Sequence, residues 1–270
     1  MATRSAAMNV MQAAARKASR GLLRDYGEVD QLQVSRKGPA DFVTASDRKV
    51  DEILRETLAK ARPTFGFLTE ELGETRGEDP DSRFIIDPID GTTNFIHGIP
   101  QFCISIALEQ RGELIAGVVY EPLRDEMFWA EKGTGAWLND RRLRVSSRSQ
   151  MIDAVFATGT PPRVNQDSDK RTAYLREVNA VLAVSAGIRR FGSAALDLAY
   201  VAAGRVEGYW EHSLSAWDIA AGIVLVREAG GFISEVGGGA SMLKSGNVLA
   251  CNDRLFEGFG QLVRGAARNG

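Results

Sequence analysis

The stretch Phe84-Ile85-Ile86-Asp87-Pro88-Ile89-Asp90-Gly91-Thr92-Thr93-Asn94-Phe95 constrains this chain most, because an apolar run there stops at two carboxylates, a glycine and two hydroxyls. Phe84 to Ile86 have the β-branched and aromatic character of a buried strand. Pro88 keeps Asp87 extended, since a residue before proline is pushed out of the helical region, so Asp87 reads as a strand end. Gly91 allows a tight turn with close backbone approach, and Thr92 and Thr93 are placed to cap a helix beginning near Asn94. A helix start offers free N–H groups to an anion, yet carboxylates three apart on the approach repel one unless hard cations lie between them. Carboxylate, metal, phosphate is the order that fits. Alone, an Asp-Pro-x-Asp-Gly run is more often a solvated turn than a site; the adjoining Thr-Thr-Asn-Phe shifts the reading.

With 270 residues, 44% of them apolar, the chain can bury a large core as one domain or two packed halves. The formal charge of -2, from 33 basic and 35 acidic residues, gives no global field for nucleic acid or an anionic membrane. Cys103 and Cys251 are too few for a disulfide framework or a cysteine-rich zinc site, so a reducing, cytoplasmic setting is expected. Arg4, Arg16, Lys17 and Arg20 interrupt the alanine-rich N-terminus, and no apolar run approaches the ~20 residues of a spanning helix. Neither export nor membrane insertion is expected.

Met8, Met11, Ala15, Ala18 and Leu22 recur at helical spacing and predict a first helix from Ser5 to Tyr26. A strand is expected over Gln31 to Ser35. Thr44 with Asp47 resembles a capping pair for a second helix reaching Pro63, with Val50, Ile53, Leu54 and Leu58 on one face. Phe65 to Leu68 is strand-like, and Gly73 to Asp81, charged and glycine-bearing, reads as a mobile loop. Turn signals at Arg111-Gly112 and Pro122-Leu123-Arg124 divide an antiparallel meander of Phe102 to Glu109, Leu114 to Tyr120 and Glu126 to Ala130. From Met151 the pattern alternates. Strands are expected near Ala154, at Gly187 to Phe191, Val206 to Trp210, Phe232 to Val236 and Val248 to Ala250. Helices are expected at Thr172 to Val184, Ala194 to Ala203, Asp218 to Ala229 and from Asp253. This predicts a layered α/β half, 148–270, packed on an α+β half, 1–147, as one catalytic unit joined through Gly133 to Ser147. Gly237-Gly238-Gly239 lacks a phosphate-loop lysine and reads as a surface turn.

Several phosphatase chemistries are excluded by their missing nucleophiles. Neither cysteine is followed by an arginine placed to hold a phosphate under a thiolate. His97 and His212 are too few for a phosphohistidine or histidine-rich dinuclear site. Asp87 and Asp90 are separated by two residues where the carboxylates of aspartyl-phosphate enzymes are separated by one. Water activated by hard metals remains.

Asp87-Pro88-Ile89-Asp90-Gly91-Thr92-Thr93-Asn94-Phe95, with Trp217-Asp218-Ile219-Ala220-Ala221-Gly222 and Glu70-Glu71, resembles the inositol monophosphatase family over nearly the whole chain. The resemblance implies a layered αβαβα sandwich of the sugar-phosphatase type, α/β (α+β) in class, and a Mg2+-dependent, lithium-sensitive phosphomonoesterase that is usually a homodimer. It implies Glu70, Asp87, Asp90 and Asp218 as side-chain metal ligands with Ile89 contributing its carbonyl, an all-oxygen set suited to two or three Mg2+. Thr92, oriented by Asp47, corresponds to the pair that positions the attacking water, with Glu70 helping to polarise it. No phosphoenzyme is expected. The phosphate is expected on the N–H groups of Gly91 and Thr92, with Asp90 and Ile89 beside it, while Gly192, Ser193, Ala194 and Glu211 resemble the substrate contacts.

Plainer readings stand beside these. Asp218 ahead of Ile219, Ala220, Ile223 and Val224 fits a helix N-cap, and Asp47 fits a capping-box acid. Glu70 is chosen over Glu71 by the resemblance alone. Arg36 and Lys37 are equal candidates to approach the phosphate, and His97, Cys103 and Cys251 read as packing residues. Three positions depart from the family pattern. Thr69 stands where a glycine is common, Gly237 to Ser241 lacks an aspartate, and Glu211 is followed by His212-Ser213-Leu214-Ser215.

The leading expectation is hydrolysis of myo-inositol monophosphate or a similar polyol or sugar phosphate. Histidinol phosphate and fructose bisphosphate are alternatives, as is a 3',5'-bisphosphonucleotide, although relatives acting on the last carry Lys-Glu in place of Thr93-Asn94. A regulatory alternative, binding the transcription machinery in ribosomal RNA maturation, has Arg189-Arg190 and Arg141-Arg142 with Arg144 as local basic clusters.

Overall fold

The computed structural model describes residues 4–28, 34–38, 41–160 and 167–268. Helix α1 (Ala6–Gly27) opens on Ser5, whose hydroxyl accepts the Met8 N–H at 3.0 Å, and the five residues whose spacing predicted it are all buried. Strands β1 (Val34–Gly38) and β2 (Asp41–Thr44) pair antiparallel. The strand expected over Gln31 to Ser35 extends on to Gly38, and the first three residues of that expectation lie outside those described. Helix α2 (Ala45–Ala61) follows.

Next come β3 (Gly66–Thr69), β4 (Gly73–Thr75), β5 (Ser82–Asp90), the short helix α3 (Thr92–Ile96), β6 (Cys103–Gln110), β7 (Glu113–Glu121), β8 (Glu126–Glu131), β9 (Gly135–Leu138) and β10 (Arg141–Arg142). They form one eight-stranded sheet in the order β10-β9-β8-β7-β6-β5-β3-β4, antiparallel except for β3 beside β5. Two expectations are corrected here. The stretch from Gly73 to Asp81 begins with an edge strand rather than a loop, because β4 folds back on β3 and satisfies its open edge. Gly133 to Ser147 supplies β9 and β10, so the crossing to the second sheet starts only after Arg142.

After a 3₁₀ turn at Met151–Asp153 the chain builds β11 (Val155–Thr158), α4 (Ser168–Leu182), β12 (Gly187–Arg189), α5 (Ala194–Ala202), β13 (Gly208–Glu211), α6 (Ala216–Glu228), β14 (Phe232–Ser234), α7 (Met242–Ser245), β15 (Val248–Cys251) and α8 (Phe256–Arg268). The second sheet has the order β12-β11-β13-β15-β14, with β11 parallel to both its neighbours.

Three apolar cores separate five layers. Met8, Leu22, Leu54, Phe84 and Trp129 join α1 and α2 to one face of the large sheet. Ala195, Leu198, Ile223 and Val224 of α5 and α6 fill the space between the sheets, and Phe156, Trp210 and Phe259 sit under α4 and α8 on the far side. The result is a layered αβαβα sandwich, as expected. Its middle layer brings the start of α6 against β5.

Candidate active site

Strand β5 reaches Asp90 by way of an irregularity. Asp87 pairs with Ser105 and Asp90 with Cys103, so three steps on β5 face two on β6. This is a bulge, and the extra residue re-aims the strand. Residues three apart would otherwise point to opposite faces. Pro88, which has no N–H to give a ladder, falls where pairing is interrupted. The Asp87 carboxylate accepts the Ile89 N–H at 3.0 Å, which ties the bulge together. Asp87 is therefore inside a bulged strand rather than at its end.

Gly91 follows with φ +100°, and a Cβ there would stand 2.9 Å from the Gln101 carbonyl, so the position demands glycine. It is also the N-cap of α3, whose first residues are Thr92 and Thr93. The two threonines thus lie within the helix and do not cap one beginning at Asn94. The Thr92 hydroxyl has the Ile89 carbonyl at 2.9 Å and Asp47 Oδ1 at 3.2 Å as acceptors. Asn94 is buried and its amide nitrogen donates to the carbonyls of Gln101 and Phe191 at 2.7 and 2.8 Å, pinning α3 to the segment before α5. His97, read as packing, is exposed.

Asp218 is the third residue of α6, and its Oδ2 accepts the Ser215 N–H at 2.7 Å. The plainer reading of Asp218 as the N-cap fails, since Ser215 holds that place. Its carboxylate meets those of Asp87 and Asp90: one oxygen from each lies within 4.8 Å of the others. Ser105 on β6, opposite Asp87, donates to the Trp217 carbonyl at 3.3 Å and holds the start of α6 in place. Asp90 is fixed from the far side by the Ser193 hydroxyl at 2.5 Å and the Ala195 N–H at 2.8 Å. Glu70 leaves β3 with its N–H on the Ile86 carbonyl at 3.2 Å and shares a side-chain hydrogen bond with Asp87.

A cleft of about 270 Å³ collects Glu70, Asp90, Gly91, Thr92, Gly192, Ser193, Ala194, Glu211 and Asp218, with Asp87, Ile89 and Asp47 buried around it. A roomier hollow of about 390 Å³ beside β4 is lined by paired charges, Arg83 bonding Glu109 and Glu74, and gathers no such cluster. The side chains of Arg36 and Lys37 lie outside the described residues.

The cluster is electrostatically crowded. Burial, then Glu70, Asp90 and Asp218, hold the Asp87 acid well above the usual carboxylate range. Burial and then Asp90 do the same to Asp218, although part of its surface faces the cleft. Asp90 is also raised by burial, with the Ser193 and Ala195 donors opposing. Two buried carboxylates and a half-buried third, with an oxygen of each within 4.8 Å of the others, disfavour one another's ionisation unless a cation lies between them, and an all-oxygen donor set suits a hard divalent ion. The residues present therefore fit a metal.

Five residues around the cleft escaped the sequence reading. Asp51 on α2 is buried and accepts the Leu72 N–H at 3.1 Å, anchoring the loop that bears Glu70. Tyr209 donates its hydroxyl to Glu211 Oε2, and Gly159 makes room for that carboxylate. Burial raises the Glu211 acid to about 7, the Tyr209 bond working against it. Asp197 lies fully buried with no hydrogen-bond partner among the described residues, its acid raised well above normal by burial and then by Glu211. Arg190, noted only for its charge, lines the cleft with its Nε on the Thr160 hydroxyl at 2.9 Å. Arg190 had a local signal in its charge and Tyr209 one in its place two residues before Glu211 on the same strand face, whereas Asp51, Gly159 and Asp197 act through residues distant in sequence.

A five-layer sandwich with an acidic cluster at a glycine turn is the layout of a metal-dependent phosphatase. Residues 3–267 match the inositol monophosphatase family. Inositol-1-monophosphatase from Mesorhizobium japonicum is 55% identical over 250 residues, 93% of this chain and 93% of the relative. Nus factor SuhB of Escherichia coli is 44% identical over 93% of this chain and 92% of its own. The crystal structure of extragenic suppressor protein suhB from Bartonella henselae superposes with a TM-score of 0.93 at 54% identity, covering 98% of this chain and 100% of that one. The chain belongs to the inositol monophosphatase family.

Proposed function

We propose that the protein is a Mg2+-dependent, lithium-sensitive phosphomonoesterase acting on myo-inositol monophosphate or a similar polyol phosphate. The observation that carries this reading is the meeting of Asp87, Asp90 and Asp218 within 4.8 Å of one another beside the turn at Gly91. Glu70, Asp87, Asp90 and Asp218 would hold the ions together with the Ile89 carbonyl. Mg2+ bound there supplies the positive charge that offsets the phosphate and its developing transition state.

The chain's own groups do the rest. The N–H groups of Gly91 and Thr92, which have no intrahelical partner at a helix start, face the phosphate oxygens. Thr92 has one hydroxyl proton and two acceptors. With the Ile89 carbonyl engaged elsewhere that proton goes to Asp47, leaving the Thr92 lone pairs to accept from and orient a water. Asp47, fully buried, fixes the direction of that hydrogen bond. Glu70 at the cleft wall is placed to draw the water's proton. No side-chain nucleophile is required, so no phosphoenzyme forms.

A phosphomonoester panel with Mg2+, repeated with added Li+, tests the reading. Phosphate release from inositol monophosphate that needs Mg2+ and is suppressed by Li+ is expected, and Asp87→Asn should lower it roughly 10²-fold or more. Release that persists in a chelator, or none from any phosphomonoester, refutes it. The work is proposed to be cytoplasmic: both cysteines are free, and no helix among the described residues is long and apolar enough to cross a membrane. The homodimer follows the family resemblance, and light scattering at twice the 29.3 kDa chain mass would support it.

A second reading comes from the relatives named Nus factor SuhB. Arg141 and Arg142 are exposed on β10 at the sheet edge and offer a basic patch to the transcription machinery, whereas Arg190 is engaged at the cleft. A partner-binding role should survive Asp87→Asn in a complementation assay. Loss of both roles together removes it.

A further inference from the structure

Strand β13 presents Tyr209 and Glu211 on one face and Trp210 on the other, as period-two geometry requires. Trp210 donates to the buried Glu177 at 3.0 Å on the far side of the sheet. Tyr209 is fully buried, and its hydroxyl donates to Glu211 Oε2. Glu211 is 8% exposed, lines the cleft, and receives no hydrogen bond at Oε1 from the described residues. At the end of the neighbouring β11, a Cβ on Gly159 would overlap both carboxylate oxygens, so that wall is kept bare where Glu211 sits. Arg190, the cation lining the same cleft, gives its Nε to Thr160.

The carboxylate is thus fixed by a neutral donor on one oxygen, while the other has no donor among the described residues and belongs to a side chain that lines the cleft. Once Glu211 is ionised, above about pH 7, a phenol donor leaves its negative charge free to accept from a ligand, where an ion pair would consume it. We propose that Tyr209 is a positioning residue for substrate selection: by holding Oε2 it presents Oε1 as a fixed acceptor, favouring phosphomonoesters whose leaving group carries a hydroxyl, as a cyclic polyol does, over those with an apolar leaving group. This rests on the phosphatase reading above. A site built to accept from a hydroxyl rejects the analogue lacking it, because its polar group is left unpaired.

The test compares wild type, Tyr209→Phe and Gly159→Ala, full-length with Mg2+, on myo-inositol 1-phosphate and phenyl phosphate. Wild type should prefer the inositol ester. Both variants should lower the ratio of kcat/KM for inositol phosphate over phenyl phosphate by about tenfold, the loss lying in KM rather than kcat, as expected for one weakened hydrogen bond to a charged group. Tyr209→Phe keeps the ring's packing, and Gly159→Ala displaces the same carboxylate with Tyr209 intact. An unchanged ratio in Tyr209→Phe, or an equal loss on both substrates, overturns the proposal. So does an unchanged ratio in Gly159→Ala, which decides the matter should Tyr209→Phe not fold. Wild type that hydrolyses both esters alike overturns the selection role and leaves the phosphatase intact; wild type inactive on every ester removes both.

Discussion

Asp197 takes both carboxylate oxygens into the interior without a hydrogen bond to either from the described residues. Burial, then Glu211 and Asp90, raise its acid well above the ordinary value, and Arg190 does not reverse this. An acid whose pKa is higher folded than unfolded binds its proton more tightly in the folded state, so stability declines as pH climbs from about 4, the unfolded value, toward the folded one. Asp197→Asn carries no such burden. Its stability should overtake that of wild type progressively as pH rises above about 4, by up to ~1.4 kcal/mol per pH unit until the folded value is passed, read as a widening gap in melting temperature. A difference that stays flat across the range would mean the carboxyl is paired after all. At this scale the sequence shows residues that act beside their chain neighbours, such as Asp87 and Asp90. It does not show Asp197 or Asp51, whose significance depends on what folds around them.

The bulge in β5 and the short helix after it turn the motif into a site. Aspartate, proline and glycine signal a turn whether or not a strand continues through them, so the sequence reads a strand end where the structure has a bulged strand reaching Asp90. The missing information lies in the register against Ser105 and Cys103, which no local pattern encodes. The meander β6-β7-β8 was legible because its alternation and turn residues are local. The two-to-four-residue strands β4, β9 and β10 were not, being too short for periodicity to register. The hinge between bulge and helix is Gly91. Gly91→Ala forces a side chain into a left-handed backbone against the Gln101 carbonyl, and should cost about 1–3 kcal/mol in urea unfolding. Activity should fall further than stability, since the N–H groups of Gly91 and Thr92 move with the strain. Full activity in a stably folded Gly91→Ala protein would show that this turn does not hold the phosphate.

The sandwich as a whole presses acids from two distant parts of the chain and two adjacent layers into one cluster. Asp87 and Asp90 arrive on the large sheet and Asp218 on the helix between the sheets, and no spacing in the sequence relates the first two to the third. The family resemblance supplied that convergence; composition and periodicity could not. Packing α6 against β5 therefore stores repulsion that a divalent cation would relieve, which links metal binding to the stability of the entire fold. In acid the carboxyls carry protons, the repulsion is weak and a cation must displace protons to bind. As pH rises, Asp87 and Asp218, whose acids are raised, are the groups that resist ionising, so the metal-free protein loses stability while affinity for Mg2+ grows. At Mg2+ near 100 times its Kd, linkage contributes about 2.7 kcal/mol, or roughly 5–10 °C in Tm for a chain of this size. The Mg2+-induced shift should be small at pH 5, reach that scale near pH 8, and vanish on chelation and in Asp87→Asn. A shift of equal size at both pH values, or one retained in Asp87→Asn, would place the stabilising cation somewhere other than among these carboxylates.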